Sequence, residues 1–147
     1  HCLSSAASDV YKRQVLVHDC MPDCLSKQAV PRYRMIWNGD VWKAIVDLRQ
    51  REDLEIFTCE MDQGIGIIKK EKNSSILEIK KSPINLKFKD YYRNYKKFLR
   101  VISVEELKKN INLINCKDPD SIIIYSLGLK DDFLNKIELI IPNNLCL

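Results

Sequence analysis

Among the side chains able to do chemistry, His18 and Asp19 stand out by their setting. The apolar run Val15-Leu16-Val17 stops on these two ionisable groups, and Cys20 follows. In an open α/β sheet, ligands bind beyond the carboxyl ends of the strands, so an imidazole and a carboxylate there face a cleft. A histidine titrates near neutrality and can serve as a general base. Asp19 is a hard oxygen donor suited to a divalent cation such as Mg²⁺, although the Cys20 thiol beside it is a poor partner for that ion. The same pair can equally be a hydrogen-bonded structural feature of a strand end.

A second cluster lies in Trp37-Asn38-Gly39-Asp40-Val41-Trp42-Lys43. Asn38, Gly39, Asp40 and Trp42 are candidate substrate-binding residues, because a Gly-Asp turn facing the strand-end cleft can contact an acceptor. Each also has a plainer role. Asn38 or Asp40 can cap the helix that follows, and Trp37 and Trp42 can anchor the core. The six cysteines include no Cys-x-x-Cys pair and only two histidines accompany them, so neither a zinc site nor a disulfide framework is expected. Reduced cysteines in a cytoplasmic protein are the default.

The elements that must position these groups follow from periodicity. Val15 to Val17 read as a short buried strand, and Met21 to Ile36 as a long loop with Pro22 and Pro31. From Asp40 to about Gln50, Val41, Trp42, Ile45, Val46 and Leu48 make one apolar helical stripe. Leu54 to Cys59 and Gly64 to Lys69 read as a hairpin turning at Met61 to Gly64. The two glycines at 64 and 66 precede a strand rather than a helix, so they indicate close backbone packing and not a phosphate loop. A short strand is expected at Ile76 to Ile79. Phe88 to Leu99 reads as a helix whose aromatic side packs inward. Ser103-Val104-Glu105-Glu106 is a capping box opening a helix to about Lys109. Strands at Ile122 to Tyr125 and Ile137 to Ile141 flank a helical turn at Asp131 to Lys136, which makes the tail an α/β unit of its own.

Composition sets outer bounds. At 147 residues, 46% hydrophobic and 30% charged, the chain matches an ordinary globular domain. No apolar run approaches the roughly 20 residues that cross a bilayer, and no membrane partner is expected. A net charge of +4 permits an acidic partner without calling for one, so a nucleic-acid-binding module is the rival reading. The lysine-rich stretch from Lys80 to Arg100, with its tyrosines, is its basis.

Three motifs together resemble a known family: Val-His-Asp-Cys-x-Pro, then Trp-Asn-Gly-Asp-Val-Trp-Lys-Ala, then Asp-x-Gly-x-Gly-Ile-Ile. The set is similar to the C-terminal half of class I S-adenosylmethionine-dependent methyltransferases of the domain 24-like type, a group found in glycan biosynthesis clusters. The likeness runs from about Val15 to Leu107. It implies the end of a Rossmann-like sheet, three strands with a terminal antiparallel hairpin, and residues 15–110 as half of a methyltransferase domain. Residues 111–147 would be a tail beginning a second α/β unit. Residues 1–14 resemble translated sequencing-adaptor sequence and are set aside. The family's glycine-rich cofactor turn and acidic cofactor residue do not occur in the chain. The resemblance therefore implies O-methylation of a small, sugar-like acceptor by a longer parent, with this chain inactive alone. His18 and Asp19 would be catalytic, and a sheet with one poorly covered face is expected.

Overall fold

The computed structural model describes residues 14–32, 35–109 and the strand at 122–125. In chain order these form β1 (Gln14–Val17), α1 (Leu25–Gln28), α2 (Val41–Leu48), β2 (Glu55–Cys59), β3 (Ile65–Lys69), α3 (Phe88–Leu99), β4 (Val101–Ile102), α4 (Val104–Lys109) and β5 (Ile122–Tyr125), with a 3₁₀ turn at Pro83–Asn85. The architecture is mixed α/β. All five strands join one sheet in the order β4-β2-β3-β1-β5.

Strand direction follows from the connections. A tight turn joins β2 to β3, so they pair antiparallel, with Phe57 opposite Ile67. β3 also pairs antiparallel with β1, Leu16 opposite Ile67. Hence β1 and β2 run the same way on either side of β3, and their carboxyl ends open at one edge together with the β2–β3 turn. β4 lies parallel to β2, and β5 parallel to β1.

The three strands expected to form the sheet, β1, β2 and β3, are its centre, and β4 and β5 flank them. Val101 and Ile102, assigned to no element from the sequence, pair with Thr58 and Cys59. Ile122–Tyr125 is a strand as expected, and it is matched residue for residue along β1. Gln14, set aside in the sequence reading with residues 1–13, belongs to the sheet, buried and paired with Lys69. The long loop after β1 contains the single helical turn α1. Ile76 to Ile79 forms no strand. The adaptor-like residues 1–13, the helical turn at 131–136 and the strand at 137–141 lie outside the described residues.

Side chains alternate across the strands, which gives the sheet two faces. On one, Val15, Val17, Ile56 and Ile68 pack with Trp42, Ile45 and Val46 of α2 and Tyr91, Phe98 and Leu99 of α3. On the other, Leu16, Phe57, Ile65 and Ile67 are also buried, so the poorly covered face expected from sequence is not found. Both helices take their apolar stripe inward as the spacing dictates. Trp42 lies against Tyr91 with ring centroids 4.8 Å apart.

The ends of α3 are held by side chains. Asp90 accepts a hydrogen bond from the Lys87 amide (2.9 Å), satisfying one orphan donor of the first turn. At the other end, the buried Arg49 guanidinium donates to the Lys97 carbonyl (2.6 Å) and to the Ser75 carbonyl (2.7 Å). A cation suits the negative end of a helix. Burial, with Arg100 nearby, lowers the Arg49 pKa to about 10, which leaves it charged at neutral pH.

Candidate functional site

Beyond Val17 the chain leaves the sheet by a left-handed step. Asp19 has φ +66°, a conformation that costs most residues about 1 kcal/mol and that aspartate tolerates better than most. The step folds the carboxylate back against the neighbouring ring, Asp19 Oδ1 lying 3.0 Å from His18 Nδ1. The β2–β3 turn approaches from the other side. There Asp62, also left-handed at φ +54°, sets Oδ2 3.2 Å from His18 Nε2. The imidazole is thus held between two carboxylates.

Backbone hydrogen bonds fix the two loops to each other. The Cys20 amide donates to the Gly64 carbonyl (3.1 Å) and the Met21 amide to the Gln63 carbonyl (2.7 Å). Gly64 makes the approach possible. Its φ is +83°, and a Cβ there would fall 2.8 Å from the Met21 backbone nitrogen. Residues held in sparsely populated backbone regions collect at functional sites, and this site holds Asp19 and Asp62 in one small volume.

The electrostatics follow from the geometry. Burial pushes the His18 pKa down, but the hydrogen bonds and charges of Asp19 and Asp62 outweigh it, and the net shift is upward from 6.5. An ionised carboxylate only accepts, so the doubly protonated ring is the form that satisfies both neighbours. The His18 side chain is 1% exposed, Asp19 12% and Asp62 21%. Solvent and any ligand therefore meet the carboxylates first, Asp62 above all.

Of the loop residues singled out in the sequence, Asn38 joins this group. It is 2% exposed and its side-chain amide donates to Asp19 Oδ1 (3.4 Å), while its own Oδ1 is buried without a partner. Gly39, at φ +63°, is closed off by the Trp37 ring, 3.1 Å from where a Cβ would stand. Trp42 is fully buried and its indole N–H donates to Gln28 (3.0 Å), so it acts as a core residue. Asp40 is exposed and lines a different hollow with Lys43, Asp47, Ser82, Pro83 and Ile84. Asp62 is the group that reading the sequence as a turn missed. Its signal was the Asp-x-Gly-x-Gly string, taken for backbone packing.

The donor set does not suit Mg²⁺. Among the described residues no group of three or more His, Cys, Asp or Glu side chains is placed to hold a metal ion. Asp19 Oδ1 is already engaged by His18 and Asn38. The Cys20 thiol turns back to the Val17 carbonyl (3.2 Å), and burial pushes its pKa up to about 12. The aromatic side of α3 is turned inward at Tyr91, Phe98 and Leu99, leaving Tyr92 exposed. Comparison with protein-family models, with curated proteins and with solved structures finds no match to this chain.

Proposed function

We propose that the chain is the acceptor-side half of an S-adenosylmethionine-dependent O-methyltransferase acting on a small hydroxylated molecule, such as a sugar or glycan precursor. The observation that carries this reading is the His18–Asp19–Asp62 group at the carboxyl end of β1, beside a terminal hairpin whose last strand runs antiparallel. The motif resemblance implies His18 and Asp19 as the catalytic pair beside such a hairpin, and Asp62 lies 3.2 Å from His18 on its other side.

S-adenosylmethionine supplies an electrophilic methyl group when bound. No described residue is assigned to it, since the two glycines at positive φ, Gly39 and Gly64, are filled against Trp37 and Met21. The chain's own task is the proton. Methylating an oxygen requires the hydroxyl to lose its proton as the oxygen attacks. Asp62, the most exposed of the three, meets the acceptor hydroxyl. In its singly protonated form, with the remaining proton on Nδ1 toward Asp19, His18 takes the hydroxyl proton at Nε2 as Asp62 yields that position to the acceptor. Asp19 fixes the ring through Nδ1 and stabilises the imidazolium, as the carboxylate of a Ser-His-Asp triad does. Asn38 holds Asp19 from behind.

The test is methylation by the product of the complete open reading frame that contains this chain. His18→Asn is expected to lower kcat by about 10²-fold or more, the usual size of a general-base contribution, with KM little changed. Unchanged turnover in both His18→Asn and Asp62→Asn would exclude the assignment.

A further inference from the structure

A hollow of about 370 Å³ opens between the loop that leaves the candidate site and the face of α3. Its walls are Met21, Pro22 and Asp23 on one side and Tyr91, Tyr92 and Tyr95 on the other. Met21 lies two positions beyond Asp19 and is tied by its amide to Gln63, so the hollow begins where the His18 group ends. Its volume is within the roughly 300–1,000 Å³ of small-molecule sites.

Three features of the lining select a ligand. The first is aromatic surface: Tyr92 is 65% exposed, and Tyr91 and Tyr95 stand with centroids 6.0 Å apart. Ring faces carry partial negative charge and attract the weakly positive C–H faces of a saturated ring as well as other aromatic edges. The second is charge balance. Asp23 Oδ2 is paired with Lys27 Nζ at 2.6 Å, so the rim offers no uncompensated charge to a cation or an anion. The third is hydrogen bonding: Asp23 on the rim is an acceptor, and the Lys27 ammonium bound to it is a donor next to that acceptor. Neighbouring ring hydroxyls both donate and accept, and they match such a pair, whereas a phenol carries one hydroxyl at its edge.

We infer that this hollow is a pyranose subsite, in which a hexose ring lies on Tyr92 and Tyr95 and its hydroxyls reach the Asp23–Lys27 pair. The inference rests on the methyltransferase reading only for its use, since it would place the acceptor beside Asp62. The subsite itself is tested by binding alone.

The probes are methyl α-D-glucopyranoside, methyl α-D-galactopyranoside and methyl α-D-mannopyranoside, titrated into the 147-residue chain and followed by saturation-transfer NMR, with phenol as the aromatic comparison. At least one glycoside is expected to bind saturably with a Kd of about 1–10 mM, typical of one ring in an open site. Tyr92→Ala, at an exposed position that leaves the core intact, is expected to weaken that binding about tenfold, the loss of one stacked ring. Asp23→Asn is expected to weaken it as well. Absence of saturable binding by all three glycosides, binding indifferent to Tyr92→Ala, or tighter binding of phenol would each overturn the inference. The two readings fail separately. Glycoside binding by a protein whose complete gene product transfers no methyl group leaves the subsite standing. Methylation of a non-sugar acceptor without glycoside binding removes the subsite and keeps the enzyme.

Discussion

Asp19, Asp62 and Arg100 share an unusual backbone conformation, with φ of +66°, +54° and +48° respectively. In the first two, the strain aims carboxylates at one imidazole. In the third, it ends α3 and sends the guanidinium to Glu55 at 2.5 Å. Glu55 is partly buried, which alone would raise its pKa. The amide and hydroxyl of Ser74 and the Arg100 charge reverse that and hold the carboxyl below its ordinary 4.5. A depressed acid stabilises the fold above its unfolded pKa, and that contribution disappears as pH falls through the folded value. The chain is therefore expected to lose stability on acidification below about pH 4.5, and Glu55→Gln to lose less of it. Urea midpoints for the two proteins at pH 7 and pH 3 check this. Equal losses in both would show that Glu55 is not among the responsible groups.

One side chain ties α2 to the end of α3. Arg49, directly after α2, crosses to the last carbonyls of α3 and to Ser75, while Asn73 returns to the Arg49 and Arg51 carbonyls (3.1 and 2.8 Å). These bonds hold the segment after β3 against both helices without any regular structure of its own. The apolar stripes of α2 and α3 can be read from the sequence, because a 3.6-residue period reports directly on which side is buried. The strap cannot, since an arginine after a helix reads as solvated surface. Arg49→Met keeps most of the apolar stem and strands several buried carbonyls. It is expected to destabilise the chain by about 3 kcal/mol, measured by equilibrium urea unfolding. A loss under 1 kcal/mol, the size of a surface contact, would mean that water replaces the guanidinium.

The assembled sheet joins segments far apart in the chain. β5 pairs with β1 across more than a hundred positions, and β4 completes the opposite edge. No described residue is assigned to S-adenosylmethionine, so calorimetry is expected to show no heat of binding when the cofactor is titrated into the 147-residue chain. Tight binding would mean that a site exists where none is assigned, and it would overturn the division into acceptor and cofactor halves. No described helix is long and apolar enough to cross a membrane.

Local pattern was enough to place β1, α2, the β2–β3 hairpin, α3 and the capped start of α4, because each depends on side-chain period, turn residues or a cap within a few positions. It also marked His18 and Asp19 as a strand-end pair able to move a proton. It left open whether that pair stood alone. Asp62 lies 44 positions from His18, and it reaches the ring because β3 returns antiparallel between β1 and β2 and delivers the β2–β3 turn to the edge where β1 ends. Pairing between strands far apart in the chain, such as β1 with β3, is settled by which faces are buried in the assembled sheet, and no local run of residues encodes it. For the same reason the strand β4, the pairing of β5 with β1 and the hollow beside Tyr92 emerged only once the chain had closed on itself.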